Sequence, residues 1–257
     1  MNNRQSFLGD NLDSILENTI VAVIGLGGGG SQIVQQLAHI GFQKYILCDY
    51  DVLEDTNLNR TVGATYNDVQ RTSSKISIAV KLIRGIIPNA DITKIETPFQ
   101  QSPKAIGQAD LIFGSLDGIR NRHELEKFAR LQRIPYVDIG MDVTMPDGLP
   151  VIRGQVIASL PNKPCMWCFE FITDEELNKE DAAYGDAGHR PQVIWPNGIL
   201  ASTAVHIAMN LLTNWTGKAD RQTLYYEYDG NKGIARPHIR YEIHKNDICS
   251  HHDYQAP

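Results

Sequence analysis

The stretch VAVIGLGGGGSQ, residues 21–32, constrains this chain more than any other. A short β-branched run, residues 19–25, ends on Gly25, and every position from Gly27 to Gly30 is glycine. Such a run bounded by glycine reads as a buried parallel strand. Beyond it, Ile33, Val34, Leu37, Ala38 and Ile40 fall on one face of a helix over residues 31–40, which Gly41 stops. Residues 44–49 form the next strand. Strand, glycine turn, helix and parallel strand make a βαβ unit, which commits this part of the chain to an α/β class.

The alternation continues. Residues 75–87 read as a helix closed by Pro88, residues 91–98 as a strand, and residues 109–117 as a buried strand ending in an acid. An amphipathic helix over 119–133 and a strand over 135–143 follow. Strands alternating with helices predict a doubly wound, mostly parallel, Rossmann-like sheet with helices on both faces. After Met145 the texture changes. Residues 154–160 are strand-like, 161–168 form a proline-bearing loop, and 173–188 are acidic with a short helix at their start. Residues 197–215 are the most apolar helix, and 223–230 and 238–244 read as antiparallel strands. No repeat or flexible linker divides the chain, so residues 1–257 are expected to form one domain.

The net charge of −6 argues against a dominant nucleic-acid surface. The first twenty residues lack a basic start followed by an apolar core, and no apolar run is long enough to span a membrane. These features predict a cytoplasmic protein, in which Cys48, Cys165, Cys168 and Cys249 are not expected to form structural disulfides.

Gly25, Gly27 and Gly30 spell G-x-G-x-x-G, with Gly28 inside the motif. Here the glycines follow a strand and open a helix, the setting in which backbone amides approach phosphate oxygens at a positive helix end. Asp49, at the end of the second strand, is placed to bind ribose hydroxyls. These features fit NAD and ATP equally. The loop after Asp49 separates the two, because it holds Asp51, Asn57, Asn59 and Arg60. Hydride transfer has no need of that cluster, whereas an enzyme that expels pyrophosphate can clamp phosphates with it. Lys75 adds a cation at a helix start. Asp117, at the end of a central strand, is a carboxylate suited to Mg²⁺.

These residues carry a resemblance to the ThiF/MoeB/HesA family of adenylating enzymes, related to the ubiquitin-activating enzymes. The pattern is met by Gly25-Leu-Gly27-Gly-Gly-Gly30-Ser31, Asp49-Tyr-Asp51, Asn57-Leu-Asn59-Arg60, Lys75, and Asp117 followed by Gly118 and Arg122. The resemblance spans about residues 4 to 252. It implies an adenylyltransferase in which Asp49 holds the ribose, Asn57, Arg60 and Lys75 engage the phosphates of ATP, and Asp117 binds Mg²⁺. It also implies a homodimer, with Arg4 reaching the partner subunit's site. Residues 1–145 become the nucleotide-binding half. Residues 146–257 become a half that takes the carboxylate tail of a ubiquitin-like or sulfur-carrier protein ending in glycine, under a crossover loop near 173–191. A conjugating or sulfurtransferase protein is a further implied partner. The alternative substrate is a carboxylate on a modified tRNA base or a small molecule. On this reading Gly28 and Gly29 let the backbone crowd the α-phosphate, so Gly29→Val is expected to harm adenylation more than stability.

Cys165-Met-Trp-Cys168 has the spacing of a zinc half-site. Cys249 with His252 supplies a C-x-x-H second pair, with His251 as the tighter alternative, and relatives staple this region with two C-x-x-C pairs. The expected structural Zn²⁺ site is Cys165, Cys168, Cys249 and His252. Cys48 then remains as a core residue, and no cysteine is left for a thioester on the enzyme itself. Trp167 and Trp195 are expected in the core rather than in a tail groove.

Overall fold

The computed structural model describes residues 4–182 and 191–252. Its frame is a single sheet built from β1 (Ile20–Ile24), β2 (Lys44–Cys48), β3 (Asp91–Ile95), β4 (Leu111–Gly114), β5 (Tyr136–Thr144), β6 (Val151–Ser159), β7 (Tyr225–Asp229) and β8 (Ile234–Pro237). The order is β3-β2-β1-β4-β5-β6-β7-β8. The first five strands run parallel, and β5 to β8 pair antiparallel. The expected mixed sheet is therefore present, with β5 as the seam between its two characters.

The apolar pattern explains the layers. β4 and nearly all of β1 are buried, as strands covered on both faces must be. Helices α1 (Leu12–Asn18), α2 (Gly28–Ile40), α3 (Tyr66–Gln70), α4 (Lys75–Ile86), α5 (Pro103–Ile106), α6 (Ile119–Leu131), α7 (Asp174–Ala182), α8 (Ile194–Thr213) and α9 (Ile239–His244) complete the described chain. The long apolar α8 packs on α2 and across β5 and β6, which joins the two halves into one body. The chain winds outward from β1 through β2 to β3, then returns to lay β4 on the other side of β1. A crevice opens at such a switch point, beyond the C-terminal ends of the strands.

Two expectations change. Helix α2 begins at Gly28, three residues before the apolar periodicity, because three side-chain-free positions let its first turn lie against the strand ends. Residues 238–244, read as a strand, form α9 instead. Pro237 ends β8, and His238 then accepts a hydrogen bond from the Arg240 amide through Nδ1 at 3.1 Å, as a helix cap does. Ile239, Tyr241 and Ile243 alternate in sequence, yet only Tyr241 is buried, and its hydroxyl donates to Gln222 O at 2.8 Å. Part of the expected crossover stretch, residues 183–190, lies outside the described residues. Among the described residues no helix is long and apolar enough to cross a membrane.

Candidate functional site

A cleft of about 280 Å³ lies over the C-terminal ends of β1, β2, β4 and β5. Its walls bring together Gly25, Gly27, Gly28, Asp49, Asp51, Arg60, Lys75 and Asp117, all of which the sequence had singled out. Asn57 and Gly30 are not among the lining residues, and neither is Arg4, which sits exposed in a turn.

The glycines divide the labour. Gly25 has a φ of +86°, and a side chain there would strike the Ser115 carbonyl. A side chain on Gly30 would strike the carbonyl of Gly25, so Gly30 serves the strand-to-helix turn. Gly28 makes room for side chains, since its Cβ would stand 2.6 Å from Asn197 Nδ2 and 3.2 Å from Arg60 Cδ. Gly27 alone faces open space and leaves its backbone bare to the cleft. Gly29 also lines the cleft. Its Cβ would come within 2.6 Å of Ile139 Cδ1 and Ser115 Oγ, so Gly29→Val would disturb helix-on-sheet packing as well as the site.

The acids and bases hold one another. Asp49 accepts from the Leu26 amide at 2.7 Å and the Asp51 amide at 2.8 Å. Burial pushes its pKa up, while Lys75 and those two amides pull it back. Lys75, at the start of α4, meets Asp51 at 2.7 Å, and this pair remains wet on the Asp51 side. Arg60 donates from Nη1 to Thr56 O at 2.7 Å and to Asn59 Oδ1 at 3.0 Å. Asn59 in turn donates to Gln192 O at 2.9 Å, which fastens the start of the α8 approach to this loop. Asn57, expected to engage phosphate, shapes this loop. It is buried, and its Oδ1 accepts from the Glu54 amide at 3.2 Å in a reciprocal cap that shapes the turn presenting Arg60. Asp117 is exposed on the cleft rim just before α6.

The cleft floor holds a network to which the sequence reading gave no role. Arg122 is buried on α6, and its Nη1 donates to Asp138 Oδ1 and, at 2.9 Å, to Ile139 O. The Tyr136 hydroxyl donates to the other Asp138 oxygen at 2.7 Å. Burial pushes the Asp138 carboxyl up to about 6, against the pull of Arg122 and Tyr136. The available signal was Asp138 itself, an acid inside the apolar run of β5. Asn197 and Gln192, on the far wall, carried no comparable signal.

Beyond α6, the loop after β6 meets the C-terminal segment. One donor atom from each of Cys165, Cys168, Cys249 and His251 lies within 4.8 Å of the others. The two loop sulfurs stand 3.7 Å apart, and His251 Nδ1 is 3.6 Å from Cys165 Sγ and 3.4 Å from Cys168 Sγ. Tetrahedral zinc with sulfur at about 2.3 Å needs donor separations of about 3.8 Å, so this set of three thiols and an imidazole fits Zn²⁺. Of the two histidines the sequence offered, His251 lies with all three cysteines, whereas the expected His252 groups with Cys165 and Glu126, its Nε2 3.7 Å from Glu126 Oε2. The Trp167 ring stacks on His251, with centroids 5.9 Å apart. Trp167 is half-buried, packing against the main core as well as on the clamp, whereas Trp195, also expected in the core, is 55% exposed. Cys48 is a core residue as expected. It is buried, also borders the cleft, and burial pushes its thiol up to about 12.

A profile of the ThiF family matches residues 2–251. The SAMP-activating enzyme E1 of Haloferax volcanii is 26% identical over 210 residues, covering 80% of this chain and 72% of that protein. Ubiquitin-like modifier-activating enzyme 5 of Drosophila ananassae is 26% identical over 220 residues, with 80% of this chain covered, and the chain spans 53% of that relative's length. A shorter match of 134 residues at 30% identity, half of this chain and 30% of the relative, is to tRNA threonylcarbamoyladenosine dehydratase 2 of Saccharomyces cerevisiae. Among solved structures, E. coli MccB with ATP shares the fold at a TM-score of 0.75 and 19% identity, covering 98% of this chain and 75% of that one.

Proposed function

This chain belongs to the ThiF family, and from that premise we propose that it is an ATP-dependent adenylyltransferase acting on the C-terminal glycine carboxylate of a ubiquitin-like or sulfur-carrier protein. The observation that carries the reading is the convergence of Asp49, Arg60, Lys75 and Asp117 on one cleft, beside the bare backbone of Gly27 at the start of α2. Relatives named as activating enzymes for SAMP and for ubiquitin-like modifiers support the substrate class.

In this reading the amides at the start of α2 and the Arg60 guanidinium take the phosphates. Lys75 leaves its exposed contact with Asp51 to join them. Asp49, already aligned by two amides, accepts from the ribose hydroxyls. Asp117 would hold Mg²⁺, which shields phosphate charge. A substrate carboxylate oxygen attacks the α-phosphorus, a C(=O)–O–P bond forms, and the bond to pyrophosphate breaks. The protein's contribution is alignment and neutralisation of charge on the departing pyrophosphate. Cys48 is buried and the other thiols belong to the Cys/His clamp, so the acyl group passes from AMP to a nucleophile outside this chain, on a conjugating or sulfurtransferase protein. Arg4 is assigned to the site of a partner subunit in a homodimer. The C-terminal half, residues 146–257, receives the tail, and the clamp is a structural Zn²⁺ site.

The test is exchange of labelled pyrophosphate into ATP in the presence of ubiquitin-like proteins ending in glycine. Exchange that requires the protein substrate and its terminal glycine supports the reading. Absence of exchange together with tight NADH binding would overturn it. A carboxylate on a modified tRNA base, or on a small molecule, is the second reading, favoured by the match to the yeast dehydratase. Exchange stimulated by tRNA, with binding that weakens steeply with salt, would select it.

A further inference from the structure

Glu126 lies inside α6 with no exposure to solvent, and neither of its oxygens serves the cleft. Oε1 accepts from the Met166 amide at 2.8 Å. Among the described residues, Oε2 is buried without a hydrogen-bond partner and lies 3.7 Å from His252 Nε2, which is likewise buried without one, and both residues bring a polar atom within 4.8 Å of Cys165 Sγ. Two buried polar atoms of opposite character do not face each other unpaired without cost. A small closing movement gives each its partner. In the tautomer with its proton on Nε2, His252 donates to Glu126 whatever its charge.

The two groups that meet Glu126 are neighbours of ligands. Met166 follows Cys165 in the loop, and His252 follows His251 in the C-terminal segment. We propose that Glu126 is a positioning residue for the Cys/His centre, a single buried carboxylate that fastens both strands of the clamp before a metal arrives. The inference rests on reading that cluster as a zinc site. Three thiols and an imidazole drawn from segments about eighty residues apart must be ordered together, and metal affinity suffers when the groups that orient ligands are lost. Glu126 also ties the clamp to the helix that begins just after Asp117.

The experiment uses the full chain loaded with zinc and follows release of the metal to an excess of a chromophoric chelator. Glu126→Leu is expected to release zinc about 10-fold or more faster than the unaltered protein. Glu126→Gln should fall between the two, because its amide oxygen still accepts from Met166 and its NH₂ can donate to the other tautomer of His252. His252→Leu should match Glu126→Leu, and the double variant should add little to either change alone. Release within about twofold of the unaltered protein in both single variants, or effects that multiply in the double variant, would overturn the proposal. If Glu126→Leu does not fold, Glu126→Gln and His252→Leu carry the test. Loss of stoichiometric zinc in His252→Ala but not in His251→Ala would make His252 a ligand and equally overturn it. Elemental analysis separates the two levels, because an unaltered protein that never holds zinc removes the metal centre itself.

Discussion

The cleft and the clamp lie on either side of α6 and are built on opposite terms. In the cleft the reactive groups are wet and loosely held. Asp117 is exposed, and the Asp51 side of the pair with Lys75 is open to solvent. In the clamp the groups are tightly juxtaposed about a buried centre, with Cys165 and Glu126 fully buried, Cys168 and Cys249 half-buried, His251 at the surface, and Cys165, Cys168 and His251 donor atoms less than 4 Å apart. A site that must exchange ligands keeps its charges hydrated until the ligand arrives. A site that holds the fold keeps its donors together from the start, around at least one buried anchor. Arg122 is the exception on the cleft side, since it borders the cleft and is also buried in an ion pair.

The largest expected effect lies in the clamp. On the zinc reading, Cys249→Ser should lower stability by about 4 kcal/mol or more, as losses of structural metals do. Pyrophosphate exchange per folded molecule should stay near that of the unaltered protein. Denaturant melts beside exchange assays check this, and an unchanged midpoint would erase the contrast.

Arg122→Leu tests the exception. Removing one partner of a buried pair is expected to cost about 3–5 kcal/mol at neutral pH. The sign of its pH dependence follows from Asp138. Its folded pKa is raised to about 6, so its contribution to stability is full below the unfolded carboxylate range, at about 3.9, and is lost as pH rises through the folded value. Without Arg122 that value climbs further, so the deficit should be deepest above pH 7 and shrink toward pH 5. Urea melts at both ends of that range measure it, and a pH-independent deficit would place the damage in packing instead.

Asp117→Ala should behave as a cleft residue. Exchange should fall by about 10²–10³-fold, the size seen when a group that stabilises transition-state charge is lost. Stability should move by no more than about 0.5 kcal/mol, because Asp117 is exposed. Full retention of ATP-dependent activity would remove the enzymatic reading of the cleft. The smallest effect is expected from Asn57→Ala, about 1 kcal/mol for a lost cap. Exchange should fall modestly as the turn carrying Arg60 loosens. A loss as deep as that of Asp117→Ala would return Asn57 to direct phosphate contact.

Local patterning by itself determined the parallel half of this protein. β-branched runs, glycine punctuation and helical periodicity each act within a few residues, so β1, α2, β2, α4 and β4 were legible together with Gly25, Gly27, Asp49, Arg60, Lys75 and Asp117. The pairing of the C-x-x-C loop with Cys249 was legible from cysteine spacing. Only the tertiary structure decided which groups meet over long separations. It gathered His251 with all three cysteines and His252 with Cys165 and Glu126, turned the Asn57 amide oxygen into its own loop, and paired Arg122 with Asp138. It also folded residues 239–244 into α9, although their alternation reads as a strand. The physical reason is common to all four. Periodicity states which residues seek burial, but which side of a turn a side chain takes, and which buried charge it meets, depends on surfaces supplied by segments far away in the chain.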